Sequence, residues 1–87
     1  STVCYYKDRG RVFIEGLLEI AAADFTYQAP VFYLPEGYYN GKTYILTCWG
    51  CEGPVEFRIS KDGAVIPWGS VASQHAWVDL SSLSFRL

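Results

Sequence analysis

The sequence predicts a small all-β domain, a sandwich or barrel of short antiparallel strands. Apolar residues recur with period two in several segments, which places them on one face of an extended chain. Turn signals rich in Gly, Pro, Asn and Asp recur at roughly ten-residue spacing, the rhythm of all-β folds rather than of a parallel sheet. The 87 residues fit one domain, 1–87. A domain of that size buries only about 60–65% of the surface its unfolded chain exposes.

The elements follow in order. Lys7-Asp8-Arg9-Gly10 supplies residues that tolerate positive φ between two strand segments, as a tight hairpin requires. In the strand that follows, Val12, Ile14, Gly16, Leu18 and Ile20 alternate with Arg11, Phe13, Glu15, Leu17 and Glu19. Its second face is still partly apolar, so Phe13 and Leu17 are candidate interface residues. The stretch from Gly16 to Phe25 also has helix propensity in Leu17, Leu18, Glu19, Ile20 and three alanines, and is the one alternative to strand. Residues 35–41, Pro-Glu-Gly-Tyr-Tyr-Asn-Gly, and 49–54, Trp-Gly-Cys-Glu-Gly-Pro, read as longer loops, where function concentrates. Val55, Phe57 and Ile59 alternate with Glu56, Arg58 and Ser60 in the clearest half-buried strand, and Lys61-Asp62-Gly63 turns the chain in a second hairpin. Leu83, Phe85 and Leu87 alternate with Ser82, Ser84 and Arg86, so the chain ends on a strand.

Composition narrows the function. Hydrophobic residues make up 51% and aromatic residues 17% of the chain. That is more apolar material than one small core absorbs, so part of it should meet a partner, most simply further copies of the chain. The net charge of -2 carries no basic stripe, which argues against nucleic acid and against a polybasic membrane contact. No apolar run approaches the roughly 20 residues that span a bilayer, so membrane insertion is not expected.

Catalytic chemistry finds little support. Cys48-Trp49-Gly50-Cys51 has dithiol spacing, but it lies between strand segments rather than where a strand feeds a helix. A structural role, as a local disulfide or as two thiols, leads over metal ligation, which would draw on Cys4, His75 or a carboxylate, and over redox catalysis. His75 is the only histidine, and one imidazole without a nucleophile motif builds no triad. Three copies of it on a threefold axis could still hold an ion or sense pH. The nine carboxylates are dispersed, no phosphate or dinucleotide fingerprint is present, and nothing requires a cofactor. What remains is aromatic. Tyr38, Tyr39 and Trp49 fall in the two long loops beside Glu36, Asn40 and Glu52. That is the mixture with which proteins stack on sugar rings and bind their hydroxyls.

Taken together, these segments resemble the distal receptor-binding domains of bacteriophage tail fibres and baseplates. The resemblance spans most of the chain: the basic hairpin and strand of residues 7–16, the Leu34-Pro35-Glu36-Gly37-Tyr38 loop, the Asp62-Gly63 hairpin, and the closing Trp77-Val78-Asp79-Leu80 with Ser84-Phe85. It departs where Tyr39-Asn40 stands in place of a common Arg-Pro, where a glycine common near Ser82 is missing, and in the Cys-Trp-Gly-Cys segment. The resemblance implies a homotrimeric, jelly-roll-like β-sandwich at the C-terminal tip of a longer fibre protein, extracellular on the virion, attaching to a host-surface saccharide. Expected ligand-binding residues are Tyr38, Tyr39, Asn40, Trp49, Glu52 and His75, with no catalytic residue and no metal. Phe13, Leu17, Phe32 and Trp77 are expected to bury the trimer contact. The alternatives are a purely structural trimerisation or capping domain, and an accessory domain of a polysaccharide depolymerase.

Overall fold

A computed structural model describes residues 3–19, 29–51, 53–68 and 77–87, with the side chain of Glu19 left aside. The expectation of an antiparallel all-β domain holds. Eight strands run β1 Val3–Asp8, β2 Arg11–Glu19, β3 Phe32–Tyr33, β4 Tyr44–Gly50, β5 Gly53–Ile59, β6 Ala64–Trp68, β7 Trp77–Asp79 and β8 Ser84–Arg86. They form one sheet in the order β1-β2-β7-β4-β5-β6-β3, with β8 also on β2, curled into a half-barrel. No helix occurs among the described residues. The helical alternative over 16–25 gives way to β2 as far as Glu19, and the rest of it lies outside the described residues.

Local turn chemistry sets the hairpins. Arg9 and Gly10 both take positive φ, 53° and 79°, the geometry of a two-residue turn whose twist matches its strands. Ser60-Lys61-Asp62-Gly63 closes β5 on β6: Gly63 N donates to the Ser60 carbonyl at 3.1 Å, and Ser60 N to the Ala64 carbonyl at 2.9 Å. The expected loop over 49–54 is instead a tight hairpin. β4 runs to Gly50, which pairs with Gly53, so Trp49 and Pro54 face each other as strand residues. Gly53 opens β5 at φ 120°, a conformation that glycine tolerates.

The curl comes from β2, which serves two partners on one edge. Its first half, Arg11 to Phe13, pairs with β8, and Leu17 to Glu19 pair with β7. Gly16, at φ 124°, sits where the partner changes, and a glycine is the residue that tolerates such a bend. Between β7 and β8 the chain makes a turn closed by Leu83 N on the Leu80 carbonyl at 2.9 Å, sending both leucines inward. The concave side holds the core: Val12, Ile14, Leu34, Cys48, Val55, Phe57, Ile59, Val65, Val78, Leu80, Leu83 and Phe85. Each large aliphatic or aromatic member contributes on the order of 1.5–3 kcal/mol by leaving water.

Candidate ligand-binding face

The convex side is defined by the residues opposite the core in each strand. Directly paired residues in an antiparallel sheet share a face, so the register builds this surface row by row. One row crosses four strands as Leu17, Asp79, Trp49 and Pro54. The next is Thr47, Glu56 and Trp68, and the one after it Ile45, Arg58 and Ile66. Trp77, two residues before Asp79, lies beyond the first row. All three tryptophans of the chain therefore stand on one face.

That face is apolar and open. Trp49 is 60% exposed, Ile45 61%, Trp77 39% and Leu17 38%. Trp49 and its partner Asp79 have Cβ atoms about 5 Å apart, and Trp77 lies on the diagonal about 7–8 Å from Trp49. The Asp79 carboxylate is fixed: its Oδ1 accepts from Ser81 N at 3.0 Å. Bonds from the Ser81 backbone and hydroxyl hold it below the usual carboxylate range, so it is an anion at neutral pH. Two hydrogen bonds leave a carboxylate with further acceptor sites. Across the sheet, Arg58 stacks 3.9 Å over the Trp68 ring and pairs through Nε with Glu56 Oε2 at 2.8 Å.

The expected ligand residues separate. Asn40 is exposed, while Tyr38 and Tyr39 are half-buried and pack against the core. Tyr38 meets Tyr5 edge-on at 5.2 Å and lies under the Lys7 ammonium, whose Nζ donates to the Gly37 carbonyl at 2.9 Å. Asn40 Oδ1 accepts from Lys42 N and lies 3.2 Å from the Tyr44 hydroxyl, which donates to the Arg86 carbonyl at 2.7 Å. Tyr44 begins β4 and Trp49 nearly ends it, so the two groups sit about 17 Å apart along the strand. The structure does not bring Trp49 to the Tyr38-to-Asn40 loop. Glu52 and His75 lie outside the described residues. Asp79, Trp68, Glu56 and Arg58 were not among the expected ligand residues. The signal for them was the outward half of each alternating strand, which composition alone does not separate from solvated surface.

The cysteines take no common role. Cys48 is buried opposite Val55, and burial pushes its thiol up to about 12, which makes it unreactive. Cys51 is exposed at the hairpin, and no disulfide joins the two. Among the described residues no three His, Cys, Asp or Glu side chains cluster closely enough to hold a metal ion. Of the expected interface residues, Phe13, stacked on Tyr6 at 5.1 Å, Leu17 and Trp77 all point to the convex side. Phe32 pairs with Val65 and packs on the core, so it faces the other way. It helps line a cleft of about 390 Å³ with Val3, Tyr5, Leu18, Val31 and Tyr33. No protein-family model, curated protein or solved structure matches the chain.

Proposed function

We propose that the chain is a non-catalytic attachment domain whose convex face binds a saccharide. The observation that carries this reading is Trp49, 60% exposed beside an ordered carboxylate, Asp79, with Trp77 on the diagonal. An open indole stacks on the apolar face of a pyranose ring while a fixed acceptor takes a hydroxyl. In keeping with the tail-fibre resemblance, the domain sits at the tip of a bacteriophage fibre, outside the host cell. The finer architecture, a jelly-roll-like sandwich assembled as a homotrimer, is proposed together with this function. The outward Tyr6 and Phe13 pair on the β1–β2 half offers the self-contact, which leaves the tryptophans free. Several weak sugar contacts then gain strength by multivalency. A glycan array probed with the purified oligomer tests the reading: wild type marks at least one glycan class, and Trp49→Ala lowers its affinity about tenfold, some 1.4 kcal/mol. Equal binding by Trp49→Ala, or no marked glycan, overturns it.

A second reading is favoured by Ile45 and Leu17, aliphatic residues that stack poorly on sugars and stand 61% and 38% exposed on the same face. There the convex face is itself the contact between copies, and the domain is a structural cap of the fibre. Oligomers that form but give no glycan signal are its expected outcome.

A further inference from the structure

We infer that the convex face holds two sugar subsites and recognises a neutral oligosaccharide rather than a single terminal sugar, an inference that rests on the saccharide reading above. The second subsite is the Arg58 guanidinium, held on the Trp68 ring, with the Glu56 carboxylate beside it, so the ligand meets the guanidinium and the carboxylate there rather than the covered indole face. Trp68 lies two strands from Trp49 and two residues along, which places the indoles about 12 Å apart at standard strand spacing and rise. One pyranose covers about one strand spacing, roughly 5 Å, so no single ring reaches both subsites, whereas a chain of three or more units does.

The chemistry of the second subsite selects the ligand class. Stacking on Trp68 at 3.9 Å and pairing with Glu56 at 2.8 Å fix the guanidinium from two directions. Apart from Nε, its donors have no partner among the described residues. Glu56 presents acceptor oxygens beside them. A fixed donor fork next to a fixed acceptor matches two neighbouring hydroxyls, each of which both donates and accepts. The charges point the same way. Asp79 and Glu56 outweigh Arg58 on this face, so an acidic sugar meets net repulsion and a neutral one does not.

The test is an array carrying the disaccharide and the hexasaccharide of the same repeat, for neutral hexose, N-acetylhexosamine and uronic-acid glycans. Wild type should bind a neutral or N-acetylated hexasaccharide at least tenfold more tightly than its disaccharide. Trp68→Ala and Arg58→Gln should bring the hexasaccharide down to the disaccharide level. Trp49→Ala should lower both. Where Trp68→Ala melts below the assay temperature, Arg58→Gln reads the same subsite. Equal affinity for short and long members, or Trp68 and Arg58 variants without effect, overturns the second subsite while the saccharide reading stands. Preference for the uronic-acid series overturns the neutral assignment. An array with no marked glycan overturns both the inference and the reading beneath it.

Discussion

Gly63 carries more constraint than the other turn glycines. At φ 90° it occupies a region that side-chain-bearing residues rarely adopt, and its carbonyl accepts from Leu34 N at 2.8 Å. A Cβ there would meet the Tyr39 ring at 2.6 Å and the Leu34 carbonyl at 2.9 Å. Gly41 has a similar φ, 82°, but open space around it. Gly41→Ala should therefore cost only the left-handed penalty, about 1–2 kcal/mol. Gly63→Ala should add displacement of Tyr39 and lose 3 kcal/mol or more, a large share of a small domain's stability. Urea denaturation of the two variants decides it, and equal losses would show that the Tyr39 contact constrains nothing. The same contact explains why Tyr39 packs here as well as lying in an attractive ligand loop: its ring covers the one position in the β5–β6 turn where a side chain cannot stand.

At the scale of elements, the hairpins were legible because their chemistry is local. Arg9-Gly10 and Asp62-Gly63 specify their reversals without help from distant residues. The inward set Val55, Phe57 and Ile59 was legible because its outward partners are polar. β4 was not, since Ile45 and Trp49 make its outward side nearly as apolar as its inward side and erase the alternation. That masking also put Trp49 in a loop and hid the row it shares with Asp79, a long-range pairing that no local pattern encodes. The β7–β8 connection gives a prediction of its own. Asp79 caps the turn that drives Leu80 and Leu83 inward, and its carboxyl titrates below its ordinary value of 3.8 because Ser81 donates to the charged form. A depressed folded value contributes stability above the ordinary one, lost as pH falls through the folded one. The group is almost fully exposed, so the contribution is small, about 1 kcal/mol or less. Asp79→Ala should lose that amount at pH 7 and show a shallower decline between pH 7 and pH 3 than wild type. Parallel denaturation curves at both pH values would remove the turn-capping account.

For the whole molecule, a half-barrel with its core on the concave side leaves a convex surface that is unusually apolar for a chain with a net charge of -2. Water-exposed Ile45, Trp49 and Trp77 are costly unless something covers them, and the two readings differ in what does. If the tryptophan-bearing part of the convex face binds sugar, copies associate through Tyr6 and Phe13, on the β1–β2 half of the same side. If that tryptophan-bearing part is instead the contact between copies, Ile45 lies inside it and Tyr6 outside it. Ile45→Glu places a carboxylate opposite Arg58, where it can pair, so the fold should tolerate it with a change within about 0.5 kcal/mol. Tyr6→Lys likewise leaves an opposite charge facing Glu15. Under the saccharide reading, sedimentation at micromolar concentration should give a trimer for Ile45→Glu and a monomer for Tyr6→Lys. The structural reading reverses the two, because a charge buried without room for water at an apolar contact costs several kcal/mol, enough to dissociate a small oligomer. A wild-type monomer would remove the trimer from both.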